Sequence, residues 1–143
     1  MSEDLDRAIE KIQKEVMEDA QKIYSQRVIE HWLHPRNLGK MDNPDGYGKL
    51  TGRCGDTLQI FIKVRDQKII DTCFIADGCG PSIAAGDVAT ELAKGKDIQE
   101  ACHISQEVVL NALDGLPEKS AHCALLASLT LTESIKDYLS NKG

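Results

Sequence analysis

The chain has 143 residues, of which 41% are hydrophobic and 28% charged, and its net charge is −6. This composition is typical of one soluble globular domain and excludes disordered and fibrous classes. The acidic balance argues against a nucleic-acid surface, because phosphate binding needs a concentrated excess of lysine and arginine. No apolar run approaches the ~20 residues of a membrane span. The acidic start does not resemble a signal peptide, so we expect a cytoplasmic protein.

Residues 3–34 are predicted to form one long helix that ends before Pro35. Apolar side chains recur along it at helical spacing and predict one buried stripe, packed on the domain or on another subunit: Leu5, Ile9, Ile12, Val16 and Ile23. Residues 1–22 hold seven acidic and four basic residues, a net charge of −3. We therefore predict an N-terminal helical extension over residues 1–23 and one main domain over residues 24–143.

The segment from Pro35 to Cys54 is rich in glycine and proline and is predicted to be a loop. Two strands should follow. In "DTLQIFIKV" apolar and polar residues alternate with the period of a half-buried strand, and the turn "RDQK" leads into "IIDTCFIADG". We expect these two strands to pair as a hairpin, with a helix from about Ser82 to near Gly95.

The remainder of the chain is predicted to be helical. "DIQEACHISQEVVLNAL" indicates one or two short helices, and a last helix should run from about Ala121 to Leu139. Its expected buried side consists of four residues: Leu125, Leu126, Leu129 and Ile135. The sequence therefore predicts an α+β fold in which a small antiparallel sheet of about three strands packs against helices.

The five cysteines fall into two groups by local sequence. With no export signal, all five are expected to be reduced. Cys54, Cys79 and Cys123 lie at predicted element ends, where side chains from different elements can meet. Cys73 lies inside a strand and Cys102 where a helix would bury a small side chain, so both are interpreted as structural. His31, near the end of the first helix, is interpreted as a helix-end or surface residue.

The spacing of Cys54, Cys79 and Cys123 does not indicate a zinc finger or zinc ribbon, in which the ligands come in close pairs. Cys54 and Cys79 are 25 residues apart and Cys79 and Cys123 are 44 apart, with no close Cys-x-x-Cys pair. Three dispersed thiols can still bind a soft metal if the fold gathers them, although unrelated cysteines remain the alternative. Asp56 and His122 stand beside them as further ligand candidates. Asp56 could instead cap a turn, and His122 could be a solvated first-turn residue.

Four segments resemble the signature segments of the U-type iron–sulfur cluster assembly scaffolds, the NifU/IscU-like family. The resemblance covers most of the chain, in matching order and spacing. The segments are "YSQRVIEHWLHPRNLG" (24–39), "GRCGDTLQIFIKV" (52–64), "FIADGCGPSIAAG" (74–86) and "HCALLA" (122–127).

The resemblance implies a scaffold and carrier, not an enzyme. Such proteins assemble a labile [2Fe–2S] cluster on three cysteines, here Cys54, Cys79 and Cys123, and transfer it to apo-proteins. The iron is ferrous and the sulfur comes from a cysteine desulfurase, with Cys123 as the candidate persulfide acceptor. Asp56 matches the family's aspartate, which ligates metal or keeps the cluster labile, and His122 matches its histidine. Zinc is the alternative resting metal, and a homodimer is a further expectation.

This chain departs from the patterns of two branches of the family. The chaperone-recognised branch has a Leu-Pro-Pro-Val-Lys stretch where this chain has "LPEKSAHC", which argues against dependence on the dedicated Hsp70-type chaperone. The alternative function is a zinc-bound sulfur acceptor that carries a persulfide, but that branch has an insertion between its second and third cysteines, which the 44-residue gap lacks. A thiol enzyme with Cys123 as nucleophile and His122 as base ranks last, because adjacent helical residues point ~100° apart.

Overall fold

This computed structural model describes residues 2–142, which contain three antiparallel strands and six α-helices joined by loops and one short 3₁₀ helix. The strands lie in the order β1-β2-β3. The predicted α+β fold with a three-stranded sheet is thus confirmed. The elements are α1 (Ser2–Ile23), α2 (Gln26–Leu33), β1 (Gly46–Thr51), β2 (Thr57–Arg65), β3 (Lys68–Asp77), α3 (Gly80–Ala93), α4 (Ile98–Ala101), α5 (Gln106–Ala112) and α6 (Ala121–Lys142).

The prediction of one helix over residues 3–34 was wrong, because the chain breaks between α1 and α2. Ser25 has an extended backbone, and its hydroxyl accepts a hydrogen bond from the Val28 N–H at 3.1 Å, as an N-cap does. The same hydroxyl donates to the carbonyl of Leu113 at 2.5 Å. A long-range contact therefore fixes the start of α2, where a helical period alone predicts continuation.

The expected buried stripe of α1 is exposed. Its five apolar side chains are between 45% and 62% accessible, and Ala20 is the only buried residue of α1 within the described part of the chain. The helical period of these residues is as predicted, but Ile12 and Val16 only border an open pocket with Leu33 of α2 and stay exposed. No helix among residues 2–142 is long and apolar enough to cross a membrane.

Strand β1 lies inside the segment that the sequence predicted to be a loop. Gly46 and Gly48 made the sequence of this segment resemble a loop, but in the structure they allow close packing against α6. A Cβ atom at Gly48 would lie 2.6 Å from the carbonyl oxygen of Thr130, and one at Gly46 would overlap the carbonyl of Ser134. The two glycines thus let the backbone of α6 lie directly against β1.

The predicted hairpin is confirmed. Strands β2 and β3 pair antiparallel, and Asp66 and Gln67 turn the chain with φ values of 53° and 68°. Helices α3 and α6 cover the sheet. The core between them is aliphatic and includes Leu58, Ile60, Ile62, Phe74, Val88, Leu131 and Ile135.

Two helix predictions need correction. Helix α3 begins at Gly80, two residues before the predicted Ser82, because Pro81 can occupy a first helical turn that needs no N–H. In α6, Leu126 and Ile135 are buried as predicted, but Leu125 and Leu129 are 41% and 47% exposed. Leu125 and Leu129 instead line an apolar groove of about 330 Å³ with Leu50 of β1.

Removing residues 1–22 should leave the main domain folded. Ala20 is the one buried residue of that segment within the described part of the chain. Removing the segment should therefore change the free energy of unfolding by no more than about 1 kcal/mol. Urea unfolding of the full and shortened chains measures this. A shortened chain without a cooperative transition would contradict the predicted boundary near residue 24.

Candidate metal centre

Two thiols and one carboxylate from three different elements meet at one end of the sheet. Asp56 directly precedes β2, Cys79 is the N-cap residue of α3, and Cys123 lies in the first turn of α6. One Asp56 carboxylate oxygen and the two sulfur atoms all lie within 4.8 Å of one another. A thiol-rich group with one oxygen suits a soft or borderline transition metal such as iron or zinc.

The Oδ2 atom of Asp56 organises this group by accepting three hydrogen bonds. The Cys79 thiol donates to it at 3.0 Å, the Cys79 N–H at 3.3 Å and the Ser82 hydroxyl at 2.6 Å. Hydrogen bonds from the Cys79 thiol and then Ser82 hold the pKa of the Asp56 carboxyl below its usual value. The carboxylate is therefore ionised at neutral pH and already directed at the thiols.

Cys123 lies at the base of the group and is almost closed to solvent. Its side chain is 1% exposed, and burial raises the pKa of the Cys123 thiol to about 12. The thiol is therefore neutral in the metal-free protein at physiological pH. A metal cation at the centre would replace the thiol proton, because only the thiolate ligates metal.

Cys54 and His122 border the group without entering it. Cys54 lies in the tight turn between β1 and β2, where the Gly55 N–H bonds the Gly52 carbonyl at 3.0 Å. Its thiol is exposed, and a weak hydrogen bond from it helps to lower the pKa of the Asp56 carboxyl. The Nε2 atom of His122 lies 3.8 Å from the Cys123 sulfur. Both side chains are thus beside the centre.

The two glycines that flank Cys79 make room for the site. A Cβ atom at Gly78 would overlap the Asp56 carboxyl group, and one at Gly80 would overlap the indole ring of Trp32. Glycine is therefore required on both sides of Cys79 by close approach. The contact of Gly80 with the indole ring of Trp32 was not predicted from the sequence.

A buried carboxylate that was not predicted from the sequence anchors the segment beside Trp32. Asp87 of α3 is fully buried and accepts hydrogen bonds from the N–H groups of Arg36 and Asn37 at 2.8 and 2.9 Å. Its second oxygen lies 2.6 Å from Nδ1 of His31. The interpretation of His31 as a helix-end or surface residue therefore missed its role of holding α2 against α3. An acidic residue in the small-residue run of α3 was the available signal.

The other two cysteines lie outside this group of ligand atoms. Cys73 is half-buried in β3, and burial followed by the charge of Asp71 raises the pKa of its thiol. Cys102 is exposed at the C-cap of α4, so the expectation that a helix buries it was wrong. Helix α4 has only four residues, and its single turn leaves the next residue at the surface.

Alkylation rates should follow the difference in burial among the thiols. Cys54, Cys79 and Cys102 are exposed and should react first with iodoacetamide at pH 8. Cys123 should react slowest and accelerate as pH rises toward 12, because its thiolate is the reactive form. Peptide mass spectrometry of timed samples measures the order. Equal rates at Cys123 and Cys54 would contradict the closed position of Cys123.

Substituting Gly80 by alanine should destabilise the protein by about 1–3 kcal/mol, because the new methyl group overlaps Trp32. Gly52→Ala is a matched control, since its Cβ would lie 3.3 Å from a terminal methyl of Leu126, which can move. Urea unfolding measures both. In a Trp32→Ala background the Gly80→Ala cost should shrink, and an unchanged cost would contradict the proposed clash.

Comparison with known proteins identifies the family. The model of the NifU-like N-terminal domain matches residues 23–143. An iron–sulfur cluster assembly scaffold protein of Archaeoglobus fulgidus is 43% identical over 122 residues, 85% of this chain and 80% of that one. One from Aquifex aeolicus is 38% identical over 123 residues, covering 84% and 78%. A solved scaffold protein from Fervidobacterium islandicum superposes with a TM-score of 0.70 at 22% identity, over 81% and 98%. The chain belongs to the family of NifU-like N-terminal domains.

Proposed function

We propose that this protein assembles a labile [2Fe–2S] cluster and transfers it to apo-proteins. The observation that carries the proposal is the convergence of Asp56, Cys79 and Cys123 within 4.8 Å, with Cys54 on the adjoining turn. Relatives covering most of the chain are named as iron–sulfur cluster assembly scaffolds, which supports the same function. In this account the protein is a scaffold and carrier, and the cluster is its cargo.

The proposed ligands, three thiolates and one carboxylate, suit a cluster that the protein binds only temporarily. Proteins that keep a [2Fe–2S] cluster commonly hold it by four thiolates. Here Cys54, Cys79 and Cys123 supply three, and the carboxylate of Asp56 is the fourth donor that we propose. A carboxylate is a harder ligand than a thiolate and binds iron of a sulfur-rich cluster less firmly. His122, 3.8 Å from the Cys123 sulfur, is the alternative fourth donor.

The uneven exposure of the thiols suits assembly and release. Cys54 and Cys79 are exposed and can be reached by another protein, whereas Cys123 is buried. A persulfide forms when a thiolate attacks the sulfane sulfur of a donor persulfide, whose own cysteine departs as a thiolate. Cys123 is our predicted acceptor, and this role requires the first turn of α6 to open. Cys54 and Cys79 need no such opening.

The proposed partners follow from this chemistry. A cysteine desulfurase would supply sulfur, and apo iron–sulfur proteins would receive the cluster. Dependence on an Hsp70-type chaperone is not part of the proposal, because "LPEKSAHC" lacks the corresponding stretch. The homodimer remains a prediction, which light scattering of the full chain tests. Zinc remains the alternative resting metal and would occupy the same residues.

Serine substitutions should separate the cluster thiols from the others. After anaerobic reconstitution with ferrous iron, cysteine and a desulfurase, Cys54→Ser, Cys79→Ser and Cys123→Ser should lose most of the visible [2Fe–2S] absorption. Cys102→Ser is the matched control, since Cys102 is exposed like Cys54 but lies outside the site, and it should retain the spectrum. Tightly bound zinc with a persulfide and no acid-labile sulfide would instead favour the sulfur-acceptor function.

Replacing Asp56 by alanine should yield a cluster that forms but is transferred slowly, because the labile oxygen donor is gone. The rate of transfer to an apo-ferredoxin, followed by circular dichroism, measures the effect. Asp71→Ala is the control, since Asp71 is an exposed carboxylate on β3 away from the centre. Equal transfer rates for Asp56→Ala and wild type would contradict the role of Asp56.

A further inference from the structure

One more polar side chain, a serine of α3, contacts all three ligand atoms of the metal centre. Ser82 is fully buried in the first turn of α3, three residues after Cys79. Its Oγ atom lies 2.6 Å from Oδ2 of Asp56, 3.4 Å from the sulfur of Cys123 and 3.6 Å from the sulfur of Cys79. One hydroxyl therefore touches all three ligand atoms.

The hydroxyl has one proton and cannot satisfy all of these neighbours at once. In the metal-free protein the carboxylate is the preferred acceptor, because its contact is the shortest and is assisted by charge. A bound metal would take thiolates as ligands, so the two thiols would give up their protons to solvent. The anionic sulfur of Cys123, 3.4 Å from the Ser82 Oγ atom, would then be an acceptor within its reach.

We propose that Ser82 is a positioning residue of the centre, whose hydroxyl directs Asp56 at the thiols before loading and donates to the Cys123 sulfur after loading. This inference rests on the proposed function. A side chain that only terminates a helix would satisfy a backbone group, but the Ser82 hydroxyl is directed at the ligand atoms. Hydrogen-bonding partners of ligands commonly govern metal affinity by 10- to 100-fold.

Zn²⁺ affinity is the first test, measured at pH 7 by competition with a chromophoric chelator. Ser82→Ala keeps the helix and the volume nearly unchanged but removes the hydroxyl, so it should bind Zn²⁺ about tenfold more weakly. Ser134→Ala is the matched control. Ser134 is equally buried, on α6, and donates to the backbone carbonyl of Leu131, so its loss should leave the affinity unchanged.

A second pair of variants isolates the hydroxyl from the packing. Ser82→Thr and Ser82→Val have the same shape, and only threonine retains the donor. Threonine should bind Zn²⁺ about tenfold more tightly than valine, and this comparison holds even if Ser82→Ala fails to fold. Equal affinities within the pair would overturn the role of Ser82.

The reduction potential of the reconstituted cluster is the second test. A hydrogen bond to a ligand sulfur stabilises the additional negative charge of the reduced cluster, so Ser82→Ala should shift the potential to a more negative value. Ser134→Ala should not shift it. An unchanged potential in Ser82→Ala would overturn the proposed contact with Cys123. A wild-type protein that binds neither Zn²⁺ nor a cluster would overturn the proposed function itself, whereas equal binding by wild type and Ser82→Ala would overturn only this inference.

Discussion

The site depends on the absence of side chains on both sides of Cys79. Gly78 leaves the space that the Asp56 carboxyl group fills, and Gly80 leaves the space for the indole of Trp32. Any Cβ atom at either position would push apart the start of β2 or the end of α2 from the start of α3. Close approach of backbone to side chain therefore brings these elements together, and Cys79 takes its place as the N-cap between them.

The hydrogen bonds around Asp56 explain how the centre can be stable without a metal while its ligand atoms already lie close together. The Asp56 carboxylate is held by the hydrogens of Cys79 and Ser82, and the thiol of Cys123 is kept neutral by burial. Burying an unpaired thiolate costs free energy, so Cys123 would keep its proton until a metal cation replaces it. In the proposed function, a metal cation would replace the protons of these thiols.

The sequence allowed prediction of what depends on local pattern. Cys79 and Cys123, which the structure brings together, could be singled out because each stands at a helix start, and Cys54 as a third ligand stays a prediction. The β2–β3 hairpin was predictable because its period and turn are local. The buried Asp87 and Ser82 were missed, since their partners lie 26 to 56 residues away in the chain. Strand β1 was missed because its glycines signal a loop locally. The stripe of α1 has a correct helical period, but its side chains stay exposed although Ile12 and Val16 border a pocket with Leu33 of α2. Periodicity alone therefore predicted a burial that the fold does not supply.

Direct transfer of a labelled cluster tests the account's central claim, that the centre holds a cluster in order to release it. The protein would be loaded with ⁵⁷Fe and sulfide, mixed with an apo-ferredoxin and an iron chelator, and separated, and the iron in each fraction would be counted. The account predicts that most ⁵⁷Fe reaches the ferredoxin together with equal acid-labile sulfide. Retention of the iron on the protein, or its capture by the chelator without sulfide transfer, would contradict a scaffold function.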